Sequence, residues 1–428
     1  MHLANILKSK VTINAVWLIA GRIYHMLLTF FIGLLTARYL GPANYGLINY
    51  AAAYTTFFAS FCTLGINSVI VKNFVDNPDD EGETIGSAIV LRTVSSLLSV
   101  IMMICITLFM DKGEVTTNIV VALCSIGVLF QVMDTLNYWF QAKLQSKYAA
   151  LATVISYTVV SIYKIWLLLT GKSVEWFAIS TSLDSFVVAI VLLVMYYKQN
   201  GPKFSFSVKK SKELFFSSYH FILAGLMVAI YGSTDRFMLK QMLNESEVAY
   251  YSTAVALCNT WVFVLAAIID SMYPVILQHF GKNNGKFEQK NRQLYAIVFY
   301  MSVLASSLIS VLATFIVKVL YGDAYISAAD PLRIITWYTA FSYLGVARNA
   351  WMVCYNCQFY LKYLYIGAAL TNVVLNVWLI PIWGASGAAL ASLITQISTI
   401  LVFPAMIKEL RPNVKLMIEA ICFKGVKQ

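Results

Sequence analysis

Charge is what this sequence has least of. Asp, Glu, Lys and Arg make up 12% of its 428 residues, where a soluble domain carries about 25%. Hydrophobic residues make up 60% and the mean hydropathy is +0.73. No soluble core of this size absorbs so much apolar surface, so the solvent is lipid. Other absences narrow the function. There is no GxxxxGK[ST] loop to cradle nucleotide phosphates, so the chain itself does not hydrolyse ATP. Only four His are present, and no His/Cys/Asp/Glu cluster has metal-ligand spacing, so no metal and no cofactor is implied. No large hydrophilic loop offers room for an acceptor substrate, and no active site is evident. A cleavable signal peptide is not expected either: the first apolar run is too long and no small-x-small site follows it.

The net charge of +11 does not point to nucleic acid. The cations sit mainly in short connections between apolar runs, which is the positive-inside pattern. Seven cysteines are present, and most lie inside apolar runs. Cys354-Tyr-Asn-Cys357 has redox or metal spacing, but no partner pair or His cluster accompanies it, so it reads as packing at a helix end.

The runs form twelve expected spans, each about 20 residues or more. They cover roughly 12–36, 46–71, 85–110, 117–140, 149–170 and 175–197, then 214–239, 248–278, 293–317, 331–355, 360–380 and 384–407. Only helices satisfy the backbone in hydrocarbon. The expected fold is therefore all-α and polytopic, with about twelve transmembrane helices. Between the first two spans, Gly41-Pro42 ends a helix, since Pro cannot continue the hydrogen-bond ladder. Arg38 and Tyr39 fall there at the headgroup level. Pro274 is expected to kink the eighth span.

Alternate connections differ in charge. One set holds twenty Lys and Arg, among them Lys72, Lys143, Lys198, Lys282, Lys362 and Lys408. The other holds five: Arg38, Lys112, Lys172, Lys240 and Lys318. The first set is expected in the cytoplasm with both termini. The longest and most basic connection falls mid-chain. It divides the chain into an N-terminal six-helix lobe (1–198), a basic cytoplasmic linker (199–213) and a C-terminal six-helix lobe (214–428). An even number of helices per lobe implies a parallel repeat. Lys147-Tyr148 and Lys362-Tyr363, each ahead of a fifth helix, fit it. So do Gly46-Leu-Ile-Asn-Tyr-Ala-Ala and Ala249-Tyr-Tyr-Ser-Thr-Ala-Val.

Charges inside spans are costly, about 2.5–3.5 kcal/mol each at mid-helix, and need a partner or a wet cavity. Arg22, Arg92, Lys164 and Arg348 are the candidates for a cationic, substrate-binding cavity. Arg22 lies too deep for easy snorkelling. Arg333, near a helix end, can snorkel. Asp184, Asp235, Arg236 and Asp270 are the coupling or gating candidates, with structural pairing as the plain alternative. Asp235-Arg236 reads equally as a gate or a local pair. Gly384-Ala-Ser-Gly-Ala-Ala-Leu-Ala-Ser392 lets backbones approach closely, either as a sliding face or as static packing.

Ala37-Arg-Tyr-Leu-Gly-Pro-Ala-Asn-Tyr-Gly46 resembles the turn of the polysaccharide transporters, the Wzx-type flippases of O-antigen and capsule repeat units. These belong to the multidrug/oligosaccharidyl-lipid/polysaccharide exporter superfamily. Arg38, Gly41, Pro42 and Gly46 carry the motif. Gly65-Ile-Asn67, Ser233-Thr-Asp-Arg-Phe-Met238 and Trp383-Gly-Ala-Ser-Gly-Ala388 are further matching pieces. The resemblance implies movement of an undecaprenyl-diphosphate-linked oligosaccharide across a bacterial inner membrane. It also implies alternating access between two lobes, an ion gradient as the driving force, and a polysaccharide polymerase and chain-length machinery as partners. A drug/cation antiporter of the related branch and a membrane-embedded polymerase or ligase are the rival readings. The first would favour an acidic cavity, and the second needs an outer loop this chain lacks.

Overall fold

In the computed structural model the described residues are 10–282 and 284–425, less the side chains of 10–16, 18, 19, 22, 68, 220, 221, 223, 224 and 228. Among them the regular elements are all helices, joined by turns and irregular connections. Seven helices are long and apolar enough to cross a membrane, and an eighth span is a pair bent by 44°. Two of the seven, 41 and 49 residues long, are about twice the length a bilayer needs, and each is kinked at a glycine. The chain is thus an all-α polytopic membrane protein.

Helix α1 (Lys10–Thr63) contains the first kink. Gly41 has φ 71° and ψ 173°, a region open only to glycine. Pro42 then starts the second arm, where its missing N–H costs no hydrogen bond. The expected loop over 37–45 is therefore a one-residue break between two helical arms. The second expected span, 46–71, is also not continuous. It stops at Thr63, passes through Leu64 and Gly65 at positive φ, and resumes as α2 (Asn67–Asp76).

Helices α3 (Glu81–Met110), α4 (Val115–Phe130) and α5 (Thr135–Ala142) follow. A 3-10 turn, Gln131–Asp134, joins the last two. Next come α6 (Lys147–Thr170), α7 (Val174–Lys198) and α8 (Val208–Met242). The eighth expected span is α9 (Glu245–Asn259) and α10 (Phe263–His279). Its 44° bend lies at 260–262, and Pro274 falls within α10. At the bend the Thr260 hydroxyl donates to the Leu257 carbonyl at 2.6 Å, and such local bonds compete with the helical ladder.

Helix α11 (Asn284–Tyr321) precedes a broken span made of α12 (Ala329–Ile335), α13 (Tyr338–Ala347) and α14 (Asn349–Cys354). Helix α15 (Leu361–Ile397) is kinked at Gly384 (φ 55°, ψ −132°). It leads through a π-helical turn, Ser398–Val402, into α16 (Phe403–Met406). A last helix, α17 (Arg411–Ile421), has one buried face of Val414, Leu416, Met417 and Ala420. It stands outside the twelve expected spans, because it is too short and too charged to cross a bilayer.

The chain divides into two compact units, Met1–Ala229 and Ile230–Gln428. The first packs around Ile66, Ile85, Leu136, Phe140, Leu192 and Leu214. The second packs around Leu294, Tyr295, Leu344, Trp351, Leu364 and Met417. Many large apolar side chains elsewhere are exposed, Phe109, Leu169, Val311 and Trp378 among them. On a polytopic protein such surface faces lipid.

The stretch 201–207 has no regular secondary structure and lies along α3. The Ser205 amide donates to the Gly82 carbonyl at 3.1 Å, and the Ser207 amide donates to Ser87 Oγ at 3.1 Å. The Tyr196 hydroxyl donates to the Pro202 carbonyl, and its ring stacks on Phe204. Gly82 and Gly86 make room for this strap: a Cβ on either would overlap a backbone oxygen of 203 or 205.

Candidate functional site

The second unit buries a carboxylate that no cation pairs with among the described residues. Asp235, on α8, is 5% exposed. Its Oδ1 accepts from Asn372 Nδ2 at 3.1 Å and from Asn376 Nδ2 at 2.6 Å. Its Oδ2 accepts from Ser392 Oγ at 2.6 Å and from the Tyr251 hydroxyl. All four donors are neutral. A buried carboxylate needs this many hydrogen bonds to offset lost hydration. The arrangement is built locally. Asn372 and Asn376 are one turn apart on α15, Ser392 stands beyond the Gly384 kink on the same helix, and Tyr251 comes from α9. Buried Asn376 Oδ1 has no hydrogen-bond partner among the described residues.

Beside the carboxylate lies a cavity of about 270 Å³. Tyr231, Arg236, Tyr338 and Ser342 line it with Asp235 and Tyr251. Arg236 turns away from its neighbour: its Nε donates to Ser252 Oγ at 3.0 Å, and no ion pair joins it to Asp235 among the described residues. Tyr231 donates to Gln396 Oε1 at 3.1 Å. The site thus sets a buried carboxylate beside a small polar cavity. An ionisable group inside a membrane protein marks a candidate functional site.

The kink at Gly384 is tied to the same helices. Glu247 Oε2 accepts from the Ala385 amide at 2.6 Å, so an acid from α9 caps the arm that carries Ser392. A side chain at Gly384 would strike this carboxylate. Gly387 lies against the Leu379 backbone just as closely. Glu247 is itself held by the Asn244 cap, whose Oδ1 accepts the Glu247 amide at 3.1 Å.

The four cations singled out in the sequence lie on separate elements. The Arg22 side chain lies outside the described residues. Arg92 is fully buried. It donates to Thr135 Oγ1 at 3.1 Å and to the Gln131 carbonyl at 3.1 Å, so it covers the 3-10 break between α4 and α5. Arg348 is buried in the second unit and donates to the Thr399 carbonyl at 3.3 Å, in the π-helical turn. Each unit therefore contains a buried guanidinium bonded to a carbonyl at a helix irregularity, where the regular ladder is interrupted.

Lys164 is half-buried on α6 and acts electrostatically with Asp184 on α7. Asp184 accepts from Ser156 Oγ at 2.5 Å. The His25 ring packs tilted against Tyr157, with centroids 3.6 Å apart and the planes at 45°. Asp270 is exposed. Arg333 pairs with Asp330 at 2.5 Å on an exposed surface. Of the turn residues, Gly41 makes the kink and Pro42 opens the next arm, while Gly46 is buried. Arg38 lies at the end of the first arm, and the adjacent Tyr39 hydroxyl donates to the Lys172 carbonyl at 3.0 Å. Cys354 and Cys357 are free thiols at a turn, half-buried and buried respectively.

Reading by charge alone misses Tyr251, Asn372, Asn376 and Ser392, and Glu247 falls one residue ahead of the eighth expected span. Two asparagines four residues apart in an otherwise apolar span are the available signal.

The same fold occurs among solved membrane proteins. A lipid II flippase MurJ in an inward closed conformation superposes with a TM-score of 0.74, covering 96% of this chain and 91% of that one at 15% identity. An inward-facing multidrug resistance MATE family transporter gives 0.71, covering 92% and 96% at 15% identity. A 225-residue stretch is 24% identical to an uncharacterized membrane protein of Methanocaldococcus jannaschii, spanning 49% of this chain and 44% of that protein. The chain spans under half the length of that relative. The model of the family described as polysaccharide biosynthesis protein matches residues 11–280, and the chain belongs to that family.

Proposed function

We propose that this protein moves an undecaprenyl-diphosphate-linked oligosaccharide repeat unit from the cytoplasmic to the outer leaflet of a bacterial inner membrane. Movement is by alternating access and is coupled to an ion gradient. Membership of a polysaccharide biosynthesis family supports the sugar-bearing substrate, and the likeness to a lipid II flippase supports a lipid-linked one. The observation that carries the coupling is Asp235, a buried carboxylate held by four neutral donors beside a polar cavity. Its charge is costly to bury, so a proton or small cation that neutralises it changes the packing of α8, α9 and α15 together. Of the four cations, Arg22 and Lys164 are the proposed contacts for the diphosphate, which a guanidinium fork binds better than an ammonium; Arg92 and Arg348 are buried and already bond carbonyls at helix breaks. A polymerase and chain-length machinery would take the product.

The test is a reconstituted flipping assay with a short-chain polyprenyl-diphosphate oligosaccharide, run with and without an imposed ion gradient. Gradient-driven accumulation should occur in the wild type. Asp235→Asn should lose at least tenfold of it while keeping downhill exchange. Sugar-independent export of a cationic drug would favour the antiporter reading instead. Glycosyl transfer by the purified protein would reject the transporter reading.

A further inference from the structure

We propose that a pocket between α11, α14 and α17 binds the phosphate of an anionic membrane phospholipid. The pocket holds about 510 Å³ and lies at the basic end of the second unit. Four cations line it, Arg292, Lys408, Arg411 and Lys415, with two acids, Glu288 and Glu419.

The acids are already committed. Arg292 bonds Glu419 at 2.6 Å and Glu288 at 3.1 Å. Lys415 stands 3.9 Å from Glu419 and its side chain is 79% exposed, a distance too long for a strong pair. Glu409 is not among the residues that line the pocket. Arg411 uses Nε on the Ala405 carbonyl at 2.9 Å, and no acid pairs with it or with Lys408 among the described residues. The pocket therefore has an excess of positive charge, with Trp351 and Tyr355 forming an aromatic wall. A guanidinium with no acid on it and two ammonium groups suit phosphate oxygens.

The setting favours a lipid over a soluble anion. Helix α17 is too short to span a bilayer and buries one face against its own unit. The Asn413 amide donates to the Tyr295 hydroxyl at 2.7 Å, and the Tyr300 hydroxyl donates to the Ile421 carbonyl at 2.5 Å, so the helix is fixed. Ile418 and Phe423 nonetheless stay exposed near the cations. A helix with apolar side chains beside Lys and Arg is what lies in a headgroup layer. Under the orientation read from the Lys and Arg bias, this end meets the cytoplasmic leaflet, where anionic lipid attracts basic segments.

The experiment uses full-length protein in nanodiscs of phosphatidylcholine with a minor share of phosphatidylglycerol, followed by native mass spectrometry of the retained lipid. Wild type should retain phosphatidylglycerol well above its share. Charge reversal at Lys408, Arg411 and Lys415 together should lower that enrichment at least tenfold. Lys415→Glu alone, on an exposed side chain, should lower it severalfold without disturbing the fold. Lys318→Glu, from the opposite set of connections, should leave it unchanged. Equal retention of both lipids by the wild type, or enrichment untouched by Lys415→Glu, overturns the proposal. Displacement of the retained phospholipid by a polyprenyl diphosphate would also overturn it, assigning the pocket to the substrate headgroup. Flipping lost with lipid retention intact would bear on transport alone, so the two readings fail separately.

Discussion

Gly86 of α3 sits directly beneath the carbonyl of Ser205, with no room between them for a methyl group. The basic linker is thereby fastened to the first unit rather than left as a free tether. The same contact gives a test whose sign separates two states. In a solvent-exposed helix, Gly→Ala stabilises by about 1 kcal/mol. Here Gly86→Ala should instead destabilise by about 1–3 kcal/mol, the usual range for overpacking. Thermal unfolding of the purified protein and protease cleavage within 201–207 check it. A rise in melting temperature would mean that the strap is not seated.

Arg92 should behave as a fold-holding residue. Its two hydrogen bonds at the 3-10 break, to Thr135 and the Gln131 carbonyl, are made in a fully buried setting. Charged hydrogen bonds of this kind contribute about 1.5–3 kcal/mol each. Arg92→Met should lower stability by roughly 2–4 kcal/mol, the scale of losing buried polar contacts. Transport per folded molecule should fall far less than yield. Normal thermal stability with abolished transport would restore Arg92 as a diphosphate contact.

The two kinked helices make a paired prediction. A Cβ added at Gly41 would meet nothing within 4 Å, so only the backbone objects. Gly41→Ala should cost about 1–3 kcal/mol from φ/ψ strain. Asn should not rescue it, since ψ 173° lies outside the left-handed helical region. At Gly384 the same strain is joined by collision with Glu247. Gly384→Ala should therefore cost more than Gly41→Ala, and Glu247→Ala should remove part of the difference. Thermal unfolding of the single and double variants measures this coupling.

Orientation is testable without transport. Reporter fusions at Gln199 and Asn283 should read as cytoplasmic, and fusions at Asp111 and Gly171 as outer. The expectation rests on twenty Lys and Arg in one set of connections against five in the other. The reverse pattern would turn the protein over, and an odd number of crossings would remove the twelve-span topology.

Composition alone determined that the solvent is lipid and that the elements are helices, because hydrocarbon leaves an unpaired backbone group no partner. It also placed most of the connections, since charges and turn residues collect where chains leave the bilayer. The breaks inside spans were harder to read. Leu64 lies in an apolar run, and only the folded chain sets its φ positive. Likewise no Gly or Pro marks 260–262, where the eighth span bends and a Thr hydroxyl competes for a backbone carbonyl. Asp235 was visible as a charge in a span, but its meaning was not. Asn372, Asn376, Ser392 and Tyr251 are 16 to 157 residues away along the chain, and only the packing of three helices brings them to one carboxylate. Burial cost is a local property that sequence reveals. The identity of the groups that offset it is a long-range property that tertiary structure decides.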